Sequence, residues 1–341
     1  MITIDGSYGE GGGQIIRTAL ALSIITRKPF EIERIRAGRK KPGLLAQHLT
    51  SVRAAADICR ARVEGAEMGS QILRFEPGNV VPGNYTWNIG TAGSTTLVLQ
   101  TVLPPLVLAS GPSVLVIEGG THAKGAPPFD FLQRAFLPLL NRMGPGVSAE
   151  LVRYGFYPAG GGKIVVTIRP AAQLSPIHLE SRGARLSKQA RAVIASLPRH
   201  IAERELAVVK QEMPGWDKPE LVVETVSDTR SPGNFVMLAF QMENVTEVFT
   251  AIGERGVSAE QVARQAVERA RQYLSLDVAA GPNLADQLLV PMALAGRGSF
   301  TTGPLSLHAT TNIEVLRKFL DVQIETAQLS ENVYAVKLAR G

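Results

Sequence analysis

Apolar residues along the chain follow two spacings, one typical of helices and one typical of strands. Stretches such as 11–26 place apolar residues three and four positions apart, which predicts a helix with a buried face. The C-terminal segment YAVKLA places them at every second position, which predicts a strand with one buried face. Because strands alternate with helices along the chain, we expect an α/β fold built from layers of sheet and helix.

A weak internal repeat organises these elements. The first copy contains a helix at 11–26, a strand at 30–36, a helix at 44–60 and strands near 62–64 and 71–75. The second contains a helix at 91–110, a strand at 113–120, a helix at 129–143 and strands near 150–154 and 163–168. The third contains a helix at 284–296, the strand SFTT, a helix at 313–320 and two final strands. Three similar units are therefore predicted.

An interruption of about a hundred residues separates the second copy from the third. It has helices of its own, predicted at 188–211 and 258–274, and strands such as ELVVETV and NFVMLAFQM. The second helix starts with the capping box formed by Ser258 and Gln261. We therefore predict a catalytic domain formed by 1–180, with repeats one and two, and 278–341, with repeat three. An inserted α+β domain at 181–277 interrupts it.

Composition excludes several classes of protein. Hydrophobic residues make up 45% and charged residues 19% of the 341 residues, which excludes an intrinsically disordered chain. The single cysteine, Cys59, excludes an internal disulfide, and the N-terminus lacks the pattern of a signal peptide. The longest apolar stretch, 95–109, is shorter than the roughly 20 residues that a membrane span needs. A cytoplasmic protein without a membrane segment is expected.

The formal net charge of +6 permits a polyanionic partner without establishing one. Basic residues crowd into 34–41, and a second group comprises Arg182, Arg185, Lys188 and Arg191. A solvated basic surface is the alternative interpretation of both groups, and we favour it for the second.

Unusual residues collect at two recurring positions, the start of the first helix and the loop before the second. The glycines of GEGGGQ expose backbone N–H groups that suit phosphate, although a tight turn explains them equally. The P-loop pattern is absent, because Gly162 and Lys163 are followed by Ile164.

Two histidines compete as the candidate nucleophile. His308 lies in LSLHATTN, predicted as a loop before a helix, where hydroxyl and amide neighbours can fix one ring nitrogen and leave the other free. His122 lies in a similar loop beside Lys124. Glu10, between glycines, is a candidate magnesium ligand, and a helix-start carboxylate is the alternative.

Seven segments together resemble the catalytic, class I RNA 3′-terminal phosphate cyclases. They are DGSYGEGGGQIIRTAL, IRAGRKKPGLLAQHL, IGTAGSTTLVLQTVLP, GGTHAKGAPPFDF, YGFYPAGGGK, ADQLLVPMALAG and HATTN. The combination of RAGR-x-KPGL-x-x-QHL with EGGGQ is highly specific. The resemblance implies three repeated β-α-β-α-β-β units plus an inserted domain, in a fold similar to that of the enolpyruvate transferases.

The resemblance also implies a ligase-type reaction on RNA. ATP first adenylates a histidine and releases pyrophosphate. AMP then moves to the RNA 3′-terminal phosphate, and the 2′-hydroxyl displaces it to leave a 2′,3′-cyclic phosphodiester. The matching positions assign His308 as the nucleophile, Glu10 as the ligand of Mg²⁺ or Mn²⁺, and Arg17, Arg36 and Arg39 as phosphate contacts. ATP contacts are assigned to Gln47, Gln100, Pro127, Asn283, Leu284, Ala285, Asp286 and Gln287.

One departure from the family pattern concerns Asn283, which stands where relatives carry an aromatic residue that stacks on adenine. His122 falls at a variable position and receives no catalytic role. Two other functions are weighed: a non-catalytic RNA-binding relative, which lacks the nucleophile, and an enolpyruvyl transferase, which needs no AMP-accepting histidine. Only the cyclase predicts labelling by α-labelled ATP. The sequence leaves the oligomeric state and the physiological RNA open.

Overall fold

The first seventy-six residues form a four-stranded sheet covered by two helices. The computed structural model describes residues 1–341. The elements are β1 (Ile2–Asp5), α1 (Gly13–Thr26), β2 (Phe30–Glu33), α2 (Ala46–Cys59), β3 (Arg62–Glu64) and β4 (Leu73–Glu76). The strand order is β1-β2-β4-β3, with β1 and β2 parallel and the other pairs antiparallel. Helix α1 is buried from Gln14 to Ile24, because other helices surround it.

The next segment repeats this arrangement. It contains β5 (Asn84–Asn88), α3 (Thr95–Leu106), β6 (Ser113–Gly119), α4 (Phe129–Phe131), a π-helical stretch (Leu132–Phe136), α5 (Leu137–Arg142), β7 (Gly146–Arg153) and β8 (Gly162–Arg169). The strand order, β5-β6-β8-β7, matches that of the first unit. The π-helical stretch ends where Pro138, which lacks an N–H group, enters the helix.

A third unit starts at β9 (His178–Leu179) and is interrupted at once. The interrupting segment contains β10 (Arg185–Ala195), α6 (His200–Glu212), β11 (Leu221–Val226), β12 (Gly233–Met242), β13 (Thr246–Ile252) and α7 (Ala259–Ser275). Its strands form a separate sheet in the order β11-β10-β12-β13, and α6 and α7 pack against each other and against this sheet. We call this segment the insert.

The third unit resumes after the insert. It contains α8 (Pro282–Ala295), β14 (Arg297–Thr302), α9 (Leu307–Phe319), β15 (Val322–Ser330) and β16 (Val333–Arg340). Strand β9 pairs in parallel with β14, and the order β9-β14-β16-β15 reproduces the topology of the other two units. The α/β fold of three β-α-β-α-β-β units with an insert is confirmed, whereas the domain boundaries predicted at 180 and 277 stay a prediction.

Helices from the three units meet in the middle of the molecule. Helix α1 packs against α2, α3 and α9, and α8 packs against α9. One continuous cluster of buried apolar side chains runs through all three units and the insert. None of the helices combines the length and apolar character needed to span a bilayer.

The sequence pattern missed three strands and misplaced two helix starts. The stretch 188–211, predicted as one helix, instead forms the second part of β10 and then α6, because Ser196, with a φ of 52°, and Pro198 interrupt it. Strand β5 was not predicted because only Trp87 in it is buried, and β9 is two residues long. The helix predicted at 91–110 begins at Thr95, where Ser94 caps it. The helix predicted at 313–320 begins at Leu307, so the LSLHATTN segment forms its first turns instead of a preceding loop.

Candidate active site

His308 lies in the first turn of α9, with its ring at the edge of a cleft. The side chain of Ser306 caps the helix by accepting a hydrogen bond of 3.1 Å from the N–H of Ala309. This cap fixes the backbone on both sides of His308. The His308 side chain is 53% exposed, so one side of its ring remains open to an incoming molecule.

A relay of two hydrogen bonds sets the tautomer of His308. Gln14 donates from Nε2 to Oδ1 of Asp286 over 2.5 Å, which leaves its Oε1 facing His308. The distance from that oxygen to Nδ1 of His308 is 2.6 Å. Because Oε1 can only accept, Nδ1 must carry the proton. Nε2 of His308 therefore keeps its lone pair, which is the state required of a nucleophile.

The relay continues beyond Asp286 into a chain of polar side chains from all three units. Asp286 also accepts from Gln287 at 3.1 Å and from Asn312 at 3.3 Å. Gln100 donates to Gln287 at 2.8 Å and accepts from Nε of Arg17 at 2.9 Å. Fully partnered networks of this kind hold their members in one geometry.

Burial and charge keep the imidazole neutral. Burial lowers the pKa of His308, Asp286 raises it, and Arg17 and Arg39 lower it further. Burial also lowers the pKa of Arg17 to about 10, which still leaves its guanidinium charged at neutral pH. Burial raises the pKa of Asp286, against the hydrogen bond from Gln14 and the charges of His308 and Arg17. A neutral ring beside a fixed cation suits attack on an anionic phosphate.

Glu10 lies on the opposite side of the His308 ring. Its Oε1 is 4.0 Å from Nε2 of His308, and Arg39 forms an ion pair with the same carboxylate. The N–H of Glu10 donates to Oγ1 of Thr311 at 3.0 Å, which ties the glycine-rich loop to α9. The adjacent Gly9 has φ +58° and approaches so closely that a Cβ there would lie 2.2 Å from the same Oγ1.

Arg36 and His48 form a second layer below this loop. Arg36 donates to the carbonyl oxygens of Lys41 and Gly43, each at 2.7 Å, so its guanidinium orders the basic loop. Burial lowers the pKa of His48 to about 3, and the charges of Arg36 and Arg17 add to the effect. A Cβ on Gly13 would lie 2.4 Å from Nε2 of His48, which explains a glycine at the start of α1.

A cleft of about 590 Å³ opens beside His308. Among the predicted residues, its walls include Arg17, Gln100, Pro127, Asn283, Asp286, Gln287 and His308. The opposite wall comes from the insert, through residues such as Glu247, Phe249, Arg269 and Tyr273. A nucleotide-sized molecule in the cleft would therefore contact both the repeated units and the insert.

Six predicted residues do not line this cleft. Glu10 and Arg39 form their ion pair beside His308, outside the cleft lining. Leu284 and Ala285 are 0% and 1% exposed and pack in the core, so their side chains are unavailable for a ligand. Gln47 accepts a hydrogen bond of 2.6 Å from the N–H of Ser94, at the start of α3. Arg36 faces its own loop, as described above.

Sequence reasoning missed Gln14 and Asn312 as members of the relay, and Glu247 as a wall of the cleft. Gln14 and Asn312 both lie inside segments that were singled out as motifs, EGGGQ and HATTN. Their position inside those motifs was the available signal. Glu247 carries no such signal, because its strand reads as an ordinary part of the insert.

The second basic group is not a solvated surface, which corrects the interpretation favoured above. Arg182 donates to the carbonyl oxygens of Tyr273, Leu274 and Leu276 and so fastens the two ends of the insert together. Lys188 lies 4.5 Å from the ring centre of Trp216 and beside Glu220, and Arg191 is engaged with carboxylates. Of the four residues, Arg185 alone forms no ion pair or side-chain hydrogen bond.

His122, the competing histidine, is 1% exposed. Its Nε2 lies 2.8 Å from Asp130, and its Nδ1 lies 3.0 Å from Oγ1 of Thr121. Asp130 also forms an ion pair with Arg191 of the insert, and the His122 ring stacks on Phe235 of the insert at 4.1 Å. This cluster joins the insert to the second unit.

Comparison with known proteins supplies a family. The family model described as RNA 3′-terminal phosphate cyclase matches residues 8–326. A protein named RNA 3′-terminal phosphate cyclase from Koribacter versatilis is 52% identical over 339 residues, covering 99% of this chain and 95% of the relative. Proteins of the same name from Ectopseudomonas mendocina and Salmonella typhimurium are 51% and 49% identical, and each alignment covers at least 98% of both chains.

Two solved structures show a distant likeness. The enolpyruvyl transferase NikO from Streptomyces tendae is 13% identical with a TM-score of 0.36, and the match covers 98% of this chain and 47% of that one. EPSP synthase from Acinetobacter baumannii is 12% identical with a TM-score of 0.30, covering 96% and 62%. Scores this low support no conclusion about the fold, which rests on the three units themselves.

Proposed function

The chain belongs to the RNA 3′-terminal phosphate cyclase family, and we propose that it uses ATP to close RNA 3′-terminal phosphates into 2′,3′-cyclic phosphodiesters. The observation that carries this proposal is the open Nε2 of His308, whose lone pair is secured by the relay through Gln14 to Asp286. The adenylated residue in this proposal is His308.

In the first step, Nε2 of His308 attacks the α-phosphorus of ATP. A P–N bond forms, the bond from phosphorus to the β-phosphate oxygen breaks, and pyrophosphate leaves with the bonding electrons. The ring keeps its proton on Nδ1 and becomes cationic, and the Gln14–Asp286 relay stabilises that charge. Arg17, buried and charged at the cleft wall, offsets the negative charge of the phosphates.

The second and third steps solve a leaving-group problem. A terminal phosphate monoester has no good leaving group for the neighbouring 2′-hydroxyl to displace. Transfer of AMP from His308 breaks the P–N bond, frees Nε2 and attaches AMP to the 3′-phosphate. The 2′-oxygen then bonds to the 3′-phosphorus, the hydroxyl proton is lost, and AMP leaves. Because this attack is intramolecular, proximity lowers its barrier.

A metal ion fits the site only as one shared with substrate phosphates. No group of three His, Cys, Asp or Glu side chains lies close enough to hold a metal ion by itself. A single carboxylate with phosphate oxygens and waters is an ordinary environment for Mg²⁺. The carboxylate oxygens of Glu10 are hard ligands, and they lie beside His308, so Glu10 would hold Mg²⁺ or Mn²⁺ there. The ion would neutralise part of the negative charge of the phosphates. Arg39 would leave its ion pair with Glu10 and contact a phosphate instead.

Asn283 lies in the cleft wall and offers no aromatic face to adenine. Pro127, in the same cleft, supplies an apolar surface instead. We propose that ATP binds there with looser base selectivity than an aromatic stack would give. The RNA is held by backbone contacts, and its affinity therefore falls as salt rises and changes little with the terminal base.

Transfer of label from α-³²P-ATP tests the proposal. Wild-type protein with Mg²⁺ and no RNA should take up label that is labile in acid and stable in base, and His308→Ala should take up none. Addition of RNA with a 3′-phosphate should discharge the label and produce a cyclic end. A non-catalytic RNA-binding protein or an enolpyruvyl transferase would give an unlabelled wild type, and that result would overturn the proposal.

A further inference from the structure

A carboxyl group of the insert lies at the start of a helix that belongs to the repeated units. Glu247, on β13, is 1% exposed and accepts a hydrogen bond of 2.5 Å from the N–H of Gly281. Gly281 is the N-cap residue of α8. This contact crosses from the insert to the third unit at the cleft wall, where both residues lie.

Helix α8 has no cap of its own. Gly281 offers no side chain to accept from the first turn, and that turn carries no acidic residue. The free N–H groups and the positive end of the helix dipole both favour an acceptor at this place. Glu247 provides it from outside the helix. The approach is close, since a Cβ on Gly281 would lie 3.1 Å from Oε1 of Glu247.

The first turns of α8 carry the residues on which His308 depends. Asn283 lies two positions after the cap and lines the cleft, and Asp286 lies five positions after it and holds Gln14. A displacement at Gly281 would therefore move Asp286, and with it the acceptor that orients His308. We infer that Glu247 is a positioning residue for adenylation of His308, through which the insert sets the start of α8; this inference rests on the proposed function.

The ionisation state of Glu247 does not change this contact. Burial raises its pKa to about 8, against hydrogen bonds from the N–H groups of Gly281 and Val248. A protonated carboxyl still accepts through its second oxygen, and so does a glutamine amide. Glu247→Gln therefore preserves the acceptor, whereas Glu247→Ala removes it.

The insert offers a matched control in Glu205. It is likewise buried, at 0% exposed, and burial raises its pKa to about 8. Its partner is Asn234, which also belongs to the insert, and it does not line the cleft. Substitution of Glu205 tests the effect of losing a buried carboxyl from the insert without touching α8.

The experiment is single-turnover adenylation of the full chain with α-³²P-ATP and Mg²⁺, without RNA. It measures the rate constant, the ATP concentration at half-maximal rate and the final label per protein. We expect Glu247→Ala to lower the rate constant by roughly tenfold or more and to raise the half-maximal ATP concentration, with the final label unchanged. Glu247→Gln should stay within about threefold of wild type, and Glu205→Ala should keep the wild-type rate constant.

A second variant approaches the contact from the other side. Gly281→Ala places a methyl group against Oε1 of Glu247 and leaves the core of the insert untouched. It should slow adenylation, and the double variant with Glu247→Ala should be no slower than Glu247→Ala alone. This variant keeps the test informative if Glu247→Ala folds poorly.

Three outcomes would overturn the inference. One is a wild-type rate constant in both Glu247→Ala and Gly281→Ala. Another is equal slowing in Glu247→Ala and Glu205→Ala, which would indicate general loosening of the insert. The third is a loss of final label at an unchanged rate constant and unchanged ATP dependence. Each of these presupposes a labelled wild type, whereas an unlabelled wild type would overturn the proposed function itself and the inference with it.

Discussion

His308 and His122 occupy corresponding places in two copies of the same unit, yet their surroundings make them opposites. Each follows the second strand of its unit, β14 or β6. His308 has one ring nitrogen fixed by Gln14 and the other open at a cleft. His122 has both nitrogens within hydrogen-bond distance of a partner and its ring stacked against Phe235.

The difference lies in what each carboxylate does. Asp286 reaches His308 through a neutral amide, so it orients the ring from a distance and leaves it uncharged. Asp130 contacts His122 directly and also pairs with Arg191 of the insert, so these contacts join the insert to the second unit. In the proposed function, His308 can act as the nucleophile because its Nε2 has no hydrogen-bond partner, and not because a carboxylate is near.

Replacing each histidine by alanine should give the largest contrast, with one variant losing adenylation and the other losing stability. His308→Ala should abolish adenylation and change the free energy of unfolding little, since the side chain is 53% exposed. His122→Ala should retain the adenylation rate constant but lower stability by about 1–3 kcal/mol, because one oxygen of the buried Asp130 loses its hydrogen-bond partner while Arg191 remains paired with the other. Label transfer and chemical denaturation measure the two effects, and abolished adenylation in a folded His122→Ala protein would contradict the comparison.

Amide substitutions at the two carboxylates should give a smaller difference in the same direction, between slowed adenylation and a weakened junction with the insert. Asp286→Asn keeps one acceptor oxygen, but it removes the negative charge behind the relay and places an NH2 donor where Asp286 now accepts from Gln287. It should slow adenylation by roughly 10²-fold, the loss typical of one preorganised electrostatic contact. Asp130→Asn should slow it only a few-fold and instead weaken the junction with the insert, seen as faster proteolysis there. Equal rate constants for the two variants would show that the relay has no role.

The pH dependence of kcat/KM for ATP should show the smallest effect, and the direction of its shift is predicted. Burial lowers the pKa of His308 below its ordinary 6.5, so kcat/KM for ATP should be independent of this group at neutral pH and fall only below pH 6.5. Asp286 raises that pKa, so Asp286→Asn should move the acid limb to still lower pH. ATP ionises identically in both assays, and therefore the difference between the two profiles belongs to the protein. A limb displaced upward in Asp286→Asn would contradict the assignment.

Much of the fold was predictable from periodicity because each unit buries its helices and one face of its sheet. Two of the missed strands have little burial or length: β5 buries Trp87 alone, and β9 is completed by pairing with β14 across the insert. Pairing between segments so far apart leaves no local pattern. Strand β10 was predicted as helix because its residues 192–195 are all buried, which hides the alternation of a strand. The start of α9 was misplaced because the polar residues of HATTN read as a loop, whereas Ser306 caps a helix there.

The site was predictable only where its residues lie in motifs. His308 and Glu10 stand in recognisable segments, and the structure brings them within 4.0 Å. The relay was not predictable, because Gln14 is 272 positions from Asp286 and 294 from His308. The insert wall could not be inferred at all, since nothing in the sequence around Glu247 distinguishes it from other strand residues.

The most direct test of the central claim is to find the residue that carries AMP. Wild-type protein incubated with ATP and Mg²⁺ should be digested under basic conditions, which preserve a histidine phosphoramidate, and its peptides mapped by mass spectrometry. We predict one added AMP on the peptide containing His308, with none on the peptide containing His122. AMP on His122 or another residue, or no adduct on any peptide, would contradict the account.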